Sequence, residues 1–587
     1  MQPFGHDAHR TRAIALCLLS AVLAAREATP HAIAPAAPAA EESVALVGMV
    51  QAPRGIVVGD ATVLVTELHR EVAVDETGAF RIEGLPPGQY LIQITSPRWG
   101  QAVRRIELRS GEETRLDVEL DLALHHEAVV VTARTDERGL NELAQPVSVL
   151  GGAELRVRDQ ATIGDTLAHQ PGVSATGYTP GASRPVIRGL EGSRIRVLEG
   201  GIGSLDVSDT SPDHAVSFDP LEVEQAEIVR GPATLLYGSN AVGGVVNVLT
   251  DRIPTVKAER PLRGSLDLFG GTVADSRGGR AAVGAGAGPV QVHADFLKRK
   301  TGDYSIPGYA WSEALRQAEE DEESPFGVLP NSDVDSQGGS IGLSLVGNRG
   351  YVGGSFAAFD TQFGIPPGAH VHEEEEHESG EAHDEGVPAE GNVCSDTRQR
   401  RFDLSGELHK PFGGFRNDKV RFGVADYEHA ELEDGAIGTQ FFNDAWEGRL
   451  DLVHEPWGAA TGSFGLQVGR RDLEAVGEEA FTPPTTTDLF GLFAFEELGT
   501  GPWKIQVGAR YENQRVEAFG DDPGSRDLSG FTASVGTTWT GDSGWGTGLS
   551  LTRADRLPTA IELYADGPHL ATRTYETGNP DLAKETS

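Results

Sequence analysis

Apolar and polar side chains alternate along the second half of the chain, in segments of about ten residues that begin near Leu262. Glycine, asparagine, aspartate or proline separates one segment from the next. Alternation gives a strand one apolar face and one polar face. Because lipid offers no partner for an unpaired strand edge, such strands cross a membrane only as a closed barrel. The pattern favours a transmembrane antiparallel β-barrel over a soluble sandwich, and clear examples are residues 402–408, 464–468, 505–511 and 531–539.

The number of these segments predicts that the barrel is incomplete. About thirteen or fourteen candidate strands occur before the chain stops, whereas plugged outer-membrane barrels have about 22 strands. The last residues, Glu585, Thr586 and Ser587, are polar, although a barrel of this kind usually finishes on a strand with a terminal aromatic residue. We therefore expect residues 255–587 to form a C-terminally truncated, partial barrel that does not close.

Composition narrows the class of protein further. A chain of 587 residues exceeds what one hydrophobic core supports, so several domains are expected. The formal charge of −39 argues against nucleic acid as a partner and favours the attraction of cations. No apolar run of about 18 residues follows the N-terminal region, which excludes a helical membrane protein. Arg10 and Arg12 precede an apolar stretch that predicts a secretory signal peptide at residues 1–25, and an Ala/Pro-rich linker follows at 26–42.

Shorter alternating runs occupy residues 43–123, where turn clusters such as residues 84–88 separate them. This pattern predicts a small antiparallel β-sandwich. The sequence GAFRIEGLPPGQYLIQI, at residues 78–94, resembles the carboxypeptidase-regulatory-like domain that precedes the plug in some outer-membrane receptors. The resemblance implies a seven-stranded sandwich without catalytic residues.

Four motifs follow one another in the next part of the chain: residues 163–167, 171–173, 184–189 and 229–248. In this order they resemble the plug domain of TonB-dependent outer-membrane transporters. The resemblance implies a plug at residues 144–254 inside the barrel. The fold class is then mainly β, with a small β-sandwich, an α/β plug domain and an incomplete transmembrane antiparallel β-barrel. Because an unpaired charge is costly inside a lumen, we expect carboxylate partners for three plug arginines, Arg184, Arg188 and Arg230.

A β-prone string without proline lies between the sandwich and the plug, and it consists of Glu127, Ala128, Val129, Val130, Val131, Thr132 and Ala133. It can form a last strand of the sandwich or part of a linker at residues 124–143. It also resembles a TonB box, the segment by which TonB-dependent receptors are gripped from the periplasm. An extended Val-rich edge suits that task because it accepts β-augmentation. The resemblance implies TonB of the inner-membrane energising complex as a partner.

Residues 370–385 combine four histidines with eight carboxylates in a segment that cannot bury a core. Imidazole nitrogen and carboxylate oxygen are donors that suit zinc and its first-row neighbours. The plain alternative is a solvated acidic loop in which the histidines are incidental. Ligating imidazoles must be neutral, so capture of a metal should weaken as pH falls below about 6.5. The candidate ligands of this loop are His370, His372, His377 and His383.

Two further segments contain candidate metal ligands. In the plug, the adjacent Asp213 and His214 offer an oxygen and a nitrogen from one loop, although a histidine that caps a turn would give the same sequence. The second segment is residues 562–572, which contain His569. Together with the His-rich loop, both segments resemble the zinc-uptake branch of TonB-dependent receptors. The resemblance implies that the Asp-His pair supplies plug ligands and that His569, on a barrel loop, reaches back toward the plug.

Tetrahedral zinc takes about four donors, so these three residues leave one position for another ligand. Alternation along the strand that starts at Val420 places Glu431 and Glu433 on the inward face, and either could complete the site. We assign Glu431 as this ligand.

The combined prediction is a TonB-dependent transporter in the cell outer membrane that imports zinc into the periplasm. Zinc is the cargo, and no cofactor is expected; the other partner is outer-membrane lipid, and the protein is expected to be a monomer. One alternative is an importer of copper, nickel, a metal chelate or a siderophore. A different class is a metalloenzyme or a metal-binding surface protein without transport. No His-Glu-x-x-His, Gly-x-Ser-x-Gly or phosphate-loop motif occurs, which argues against an enzyme.

Overall fold

The computed structural model describes residues 44–52, 56–59, 61–65, 68, 70–75, 77–96, 100–109, 113–120, 130–131, 138–139, 146–231, 233–258, 260–318, 324–366, 393–477, 480–520, 524–540, 545–569 and 574–587. The predicted signal peptide, the linker at 26–42 and the His-rich segment at 370–385 lie outside these residues. Of the predicted TonB box, only the backbone of Val130 and Val131 is described. By its internal contacts the chain divides into two units, residues 1–128 and residues 129–587.

The first unit is a β-sandwich whose alternating strands each bury one face. The residues buried in its core include Leu46, Val63 and Ile92. One sheet has the order β2-β1-β5, with β8 and β9 paired to β1, and the other has the order β4-β3-β6-β7. The described part has nine strands instead of the predicted seven. Three of the nine are only two residues long. The strands are β1 (Val44–Ala52), β2 (Ile56–Val57), β3 (Thr62–Val65), β4 (Arg70–Ala73), β5 (Ala79–Leu85), β6 (Gly88–Ser96), β7 (Gly100–Leu108), β8 (Thr114–Arg115) and β9 (Val118–Glu119).

The second unit begins with a short hairpin and the mixed domain predicted as the plug. The central sheet has the order β12-β17-β18-β15-β16, in which β15 and β18 are parallel. Its elements are β10 (Val130–Val131), β11 (Arg138–Gly139), β12 (Val147–Gly151), α1 (Gly152–Arg158), α2 (Ile163–Leu167), β13 (Val173–Ala175), β14 (Pro185–Ile187), β15 (Ile195–Glu199), β16 (Ile202–Gly203), β17 (Gln225–Arg230), α3 (Thr234–Tyr237) and β18 (Gly244–Leu249), with 3-10 helices at Gly192–Arg194, Pro220–Glu222 and Ser239–Ala241.

A large antiparallel sheet of 13 strands follows, which confirms the alternating pattern of the sequence. Its order is β19-β20-β21 and then β24 to β33. The strands of this region are β19 (Leu262–Gly271), β20 (Ser276–Ala287), β21 (Val290–Thr301), β22 (Tyr304–Tyr309), β23 (Phe326–Leu329), β24 (Val334–Gly347), β25 (Gly350–Ile365), β26 (Val393–His409), β27 (Phe415–Glu433), β28 (Ala436–His454), β29 (Ala460–Gly477), β30 (Thr485–Thr500), β31 (Trp503–Ala518), β32 (Gly524–Thr540) and β33 (Gly546–Arg553).

Smaller elements complete the second unit. Helix α4 (Glu313–Ala318) lies between β22 and β23, and α5 (Ala560–Tyr564) follows β34 (Asp555–Arg556). Helix α5 starts with a capping box between Thr559 and Glu562. The last strands are β35 (Asp566–His569), β36 (Thr574–Thr577) and β37 (Glu585–Thr586). Among the described residues, no helix has both the length and the apolar character needed to cross a membrane.

The two faces of the large sheet differ as the alternation predicts. Along β24, buried and exposed residues alternate, and Ile341, Leu343 and Leu345 are all more than half exposed on the outer face. The inner faces of strands from β21 to β32 contact the plug: Arg299 on β21 bonds Asp219, and Glu512 on β31 accepts a hydrogen bond from the Ser239 amide at 3.1 Å. The sheet therefore curves around the plug.

Ion pairs hold the plug to the sheet, but they differ from the predicted ones. Among the described residues, neither Arg184 nor Arg230 forms an ion pair with a carboxylate. Arg184 donates to the carbonyl of Ser208, and Arg230 donates to Ser148 Oγ at 2.5 Å. These hydrogen bonds go to neutral acceptors, so the predicted direct pairing with carboxylates is not found for these two arginines.

Most of the described ion pairs between plug and barrel join a carboxylate of the plug to an arginine of the barrel. This is the inverse of the expected pairing, in which the plug supplies the arginines. Barrel Arg299 lies 2.7 Å from both Asp219 and Asp159, barrel Arg401 lies 2.8 Å from Glu199, and barrel Arg471 lies 3.0 Å from Asp209.

Candidate metal centre

The loop that carries Asp213 and His214 runs through the plug from β16 to the 3-10 helix at Pro220–Glu222. One buried carboxylate organises it. Asp206 accepts hydrogen bonds from the Ser208 amide at 3.1 Å and from the Ser217 amide at 3.0 Å, so it ties together two points on either side of the Asp-His pair. Such side-chain to backbone bonds satisfy a buried loop that has no sheet partner. The loop is thus held as a compact, buried structure.

The ring of His214 is oriented by its own loop. Its Nδ1 lies 3.2 Å from the carbonyl oxygen of Val207 and 2.7 Å from Thr210 Oγ. A carbonyl can only accept, so this contact favours the tautomer with the proton on Nδ1. The lone pair is then on Nε2, the nitrogen that lies near Asp213 and Glu431. A histidine that is held in this way by a backbone carbonyl has the arrangement found at metal sites.

Strand β27 of the barrel supplies the opposite side of the site. His429 and Glu431 are two residues apart, so alternation places both on the inward face. His429 Nδ1 lies 3.2 Å from the hydroxyl of Tyr427, and His429 Nε2 lies 3.1 Å from Ser395 Oγ on the neighbouring strand β26. The pairing of Ser395 with Glu431 in the ladder fixes the register of this part of the wall.

Three donors from the loop and the wall converge, and Asp213 lies beside one of them. His214 Nε2 lies 3.7 Å from an oxygen of Asp213 and 3.5 Å from Glu431 Oε1, and His429 Nε2 lies 3.9 Å from the same Glu431 oxygen. One donor atom from each of His214, His429 and Glu431 lies within 4.8 Å of the others. Donors about 2.1 Å from a tetrahedral zinc ion are about 3.4 Å apart. The observed spacings are therefore close to those of a coordination shell.

The site is sealed from solvent. Asp213, His214 and His429 are each 0% exposed, and Glu431 is 5% exposed. The ring of Phe441 packs against both imidazoles, with centroids 4.9 Å from His214 and 5.6 Å from His429. A dry wall of this kind strengthens the interaction between a cation and its charged ligands.

The electrostatic environment of His214 favours a positive charge. Burial lowers the pKa of its imidazole, but the carboxylates of Asp213 and Glu431 outweigh that effect and raise the pKa above its ordinary value. In the absence of a metal, the two carboxylates thus attract a proton to the position that faces them. A bound cation would take over this role of offsetting their charge.

The structure brings together three of the residues predicted from the sequence, namely Asp213, His214 and Glu431. It adds His429, which was not among the predicted ligands, although the alternation that points Glu431 inward also points His429 inward. The side chain of His569 and the four histidines of the His-rich loop lie outside the described residues. Only the backbone of His569 is described, at the end of β35. The role of all these residues as metal ligands remains a prediction.

The start of the β35 hairpin lies close to the site. The amide of Asp566 donates to the carbonyl of Phe481 at 2.7 Å. The ring of Phe481 packs against Phe441, with centroids 6.0 Å apart, and Phe441 in turn contacts His214. The element that carries His569 therefore begins one aromatic layer away from His214.

Three family models match the chain. The TonB-dependent Receptor Plug Domain matches residues 140–245, the TonB dependent receptor-like β-barrel matches residues 335–587, and the Carboxypeptidase regulatory-like domain matches residues 45–121. Among curated proteins, the Hemin receptor of Yersinia pestis is 36% identical over 121 residues. That match spans 20% of this chain and 18% of the length of the receptor.

Solved structures show the same architecture. One is a double mutant of the Serratia marcescens hemophore receptor HasR in complex with its hemophore HasA and heme, with a TM-score of 0.59, 13% identity, and coverage of 76% of this chain and 68% of that one. Another is the copper transporter OprC, with a TM-score of 0.58, 13% identity, and coverage of 72% and 64%. At such low identity, this likeness shows the fold alone.

The fold and the family matches define an outer-membrane receptor in which a β-barrel sheet surrounds a plug domain. The chain is a TonB-dependent receptor that carries a carboxypeptidase regulatory-like domain before its plug. Because members of this class are transporters, the prediction that the chain is not an enzyme is confirmed, and so is its location in the outer membrane.

Proposed function

We propose that this receptor imports zinc ions into the periplasm, driven by TonB, and that Asp213, His214, His429 and Glu431 hold the ion during transport. The single observation that carries the proposal is that one donor atom from each of the buried His214, His429 and Glu431 lies within 4.8 Å of the others, with Asp213 beside His214. Asp213 and His214 belong to a plug loop, and His429 and Glu431 belong to a barrel strand. Two imidazole nitrogens and two carboxylate oxygens form a donor set that suits zinc.

The size of the cluster favours a bare ion over a chelate. His214 Nε2 lies within 3.7 Å of both neighbouring carboxylates, so the space between the donors suits one atom. The apolar wall around Phe441 closes the site on one side. Haem or a siderophore would need a much larger chamber to bury most of its surface. Copper is the strongest competitor, because Cu²⁺ binds nitrogen and oxygen donors more tightly than zinc does.

The position of the His-rich segment supports a role in capture. The segment connects Ile365 at the end of β25 with Val393 at the start of β26. In the ladder, Val393 pairs with Glu433, and Ser395 pairs with Glu431. Both ends of the loop are therefore rooted at the rim of the barrel directly above the buried donors. Ions collected by its histidines and carboxylates would be delivered at the entrance of the site.

The division of the ligands between plug and barrel gives a reason for energy coupling. Any movement of the plug loop relative to β27 separates Asp213 and His214 from Glu431 and His429. The affinity for the ion then falls, because two of the four ligands are lost together. Force applied through TonB at Glu127–Ala133 would thus release the ion from a site that is otherwise too tight for rapid dissociation.

Zinc binding to the purified receptor tests the site. The Asp213→Ala/His214→Ala double variant should lose the tightest zinc binding, as measured by competition with a chromophoric chelator. His409→Ala is a matched control, because this histidine lies on the neighbouring strand β26 and its side chain is 54% exposed. Unaltered zinc affinity in the double variant would overturn the proposed site.

Uptake by whole cells tests transport. Cells with the Val130→Pro variant should retain surface zinc binding but lose zinc uptake, because proline removes a backbone donor needed for β-augmentation. Deletion of residues 370–385 should reduce uptake chiefly at low zinc. Normal uptake by the proline variant would contradict TonB coupling and favour a surface metal-binding protein. Competition by copper and nickel in the same assay identifies the preferred ion.

A further inference from the structure

The loop that carries Asp213 and His214, called the ligand loop below, has a residue with an unusual backbone conformation near its start. Leu205 has φ +58, in the left-handed region that residues with a side chain rarely adopt and that glycine adopts readily. It lies two residues after the end of β16 and directly precedes Asp206, the carboxylate that organises the loop. A strained residue at a loop entrance persists only when its surroundings hold it in place.

Two amide side chains of the barrel hold this residue. Asn443 on β28 donates to the carbonyl of Leu205 at 3.1 Å. Gln399 on β26 donates to the carbonyl of Ser204 at 3.0 Å and to that of Leu205 at 3.4 Å. Both amides are at most 3% exposed, so water does not compete for these carbonyls.

Arg471 on β29 extends the same contact. It donates to Asn443 Oδ1 at 2.7 Å, which orients the amide so that its nitrogen faces Leu205. It also lies 3.0 Å from the carboxylate of Asp209, further along the ligand loop. Side chains of the barrel wall thus hold the loop near its start, at Leu205, and further along, at Asp209. None of these side chains belongs to a candidate metal ligand.

The loop and the amide of Asn443 border open space. A cavity of about 370 Å³ between plug and barrel is lined by Leu205, Asp206, Asp209 and Thr210, together with Asn443. Thr210 also contacts His214 Nδ1 at 2.7 Å. If the hydrogen bonds from Asn443 and Gln399 were broken, the loop would have room to move into this cavity. Such a movement would pull His214 away from β27.

We propose that Asn443 and Gln399 are positioning residues that set the zinc affinity of the receptor by holding Leu205 in its left-handed conformation. Loss of their hydrogen bonds lets Leu205 relax, which moves Asp213 and His214 out of reach of Glu431 and His429. Displacement of the plug loop from these two amides is then the event that converts the high-affinity site into a releasing one. This inference rests on the proposed function, because it assumes that the cluster binds zinc.

A double-mutant cycle between Asn443 and Leu205 tests the proposal on the full-length receptor in detergent. Asn443→Ala should weaken zinc binding about tenfold, since one buried hydrogen bond that holds the loop is lost. Leu205→Gly should leave affinity within about twofold, because glycine adopts the same φ without strain. In the Leu205→Gly background, Asn443→Ala should cost less than about threefold, since the strain that the amide opposes is gone.

Gln440→Ala is the matched control, because Gln440 lies on the same strand β28 and bonds Glu428 rather than the plug. Cobalt substituted for zinc adds a second readout. At saturation, the visible spectrum of the cobalt-loaded Asn443→Ala variant should equal that of the wild type, since all four ligands remain. An equal loss of affinity in both Leu205 backgrounds, or an altered cobalt spectrum, would overturn the positioning role.

The two proposals fail in different ways. If Asp213→Ala/His214→Ala leaves zinc affinity unaltered, the proposed metal site is wrong. If that double variant abolishes binding while Asn443→Ala binds zinc as tightly as the wild type, the site stands and the positioning role is wrong.

Discussion

Replacement of His429 by alanine tests whether the barrel wall supplies a nitrogen ligand, and its expected effect follows from the contacts. Four protein ligands of a structural zinc site together contribute about 10–16 kcal/mol at neutral pH, so an equal share for one ligand is about 3 kcal/mol. His429 Nε2 lies 3.1 Å from Ser395 Oγ, and this hydrogen bond is given up when the nitrogen binds a metal. The loss of this hydrogen bond offsets about 1 kcal/mol of the binding free energy that His429 contributes. The net loss is about 2 kcal/mol, or about thirtyfold in Kd.

The assay is zinc titration of the purified receptor against a competing chelator at pH 7.5, with the unfolding temperature of the zinc-free protein measured in parallel. Ser395→Ala is an informative partner, because it removes the competing hydrogen bond and keeps the imidazole. It should tighten zinc binding by at most about fivefold. A change of opposite sign in the two variants is difficult to explain by general damage to the fold.

His569→Ala separates the two assignments of the fourth ligand. If His429 binds the ion, His569→Ala should cost less than His429→Ala, because four donors are already present in the described cluster. If His429→Ala stays within about twofold of the wild type while His569→Ala loses about a hundredfold, the barrel loop supplies the nitrogen as the sequence predicted, and our assignment of His429 is refuted.

Further predictions concern pH and the interface between plug and barrel. Zinc affinity should fall as pH decreases, beginning above about pH 6.5, because the raised pKa of His214 makes a proton a stronger competitor than at a free histidine; titrations at pH 8, 7 and 6 check this. Arg299→Met should lower the free energy of unfolding by about 3–5 kcal/mol, measured by denaturant titration, because it leaves Asp219 buried without its partner. Gly181→Val should displace the plug and increase its proteolysis, since a Cβ at this position would lie 2.3 Å from the Cβ of Phe363.

Much of the fold could be predicted from local patterns. Alternation with period two indicated the large sheet, and it also placed Glu431 on the inward face of β27. The same periodicity applies to His429, two residues earlier. What it could not supply was the identity of the element that faces this strand, because the distance between Asp213 and Glu431 depends on how a plug loop docks against a wall more than 200 residues later. That docking is a property of tertiary packing.

The partners of the plug arginines illustrate the same limit. Sequence shows that Arg184 and Arg230 lie in plug motifs, and the cost of burying a charge predicts a partner. The sequence does not predict whether that partner is a carboxylate or a neutral acceptor. Arg184 meets the carbonyl of Ser208, because the ligand loop folds back over it. The conformation of Leu205 could not be predicted either, since no local rule places a leucine in the left-handed region; the amides of Asn443 and Gln399, which bond this part of the loop, come from distant strands.

The charges at the interface between plug and barrel explain why the candidate site depends on an ion. Elsewhere on this interface, a plug carboxylate faces a barrel arginine, as Asp219 faces Arg299, and the two charges compensate each other within the protein. At the candidate site, both sides contribute a carboxylate, and Asp213 and Glu431 approach the same nitrogen of His214. A proton on that nitrogen supplies one positive charge for two negative ones, whereas a divalent cation supplies two. If the site binds zinc as proposed, the ion would add a contact that closes the interface, and withdrawal of the plug loop would break that contact and release the ion in one step.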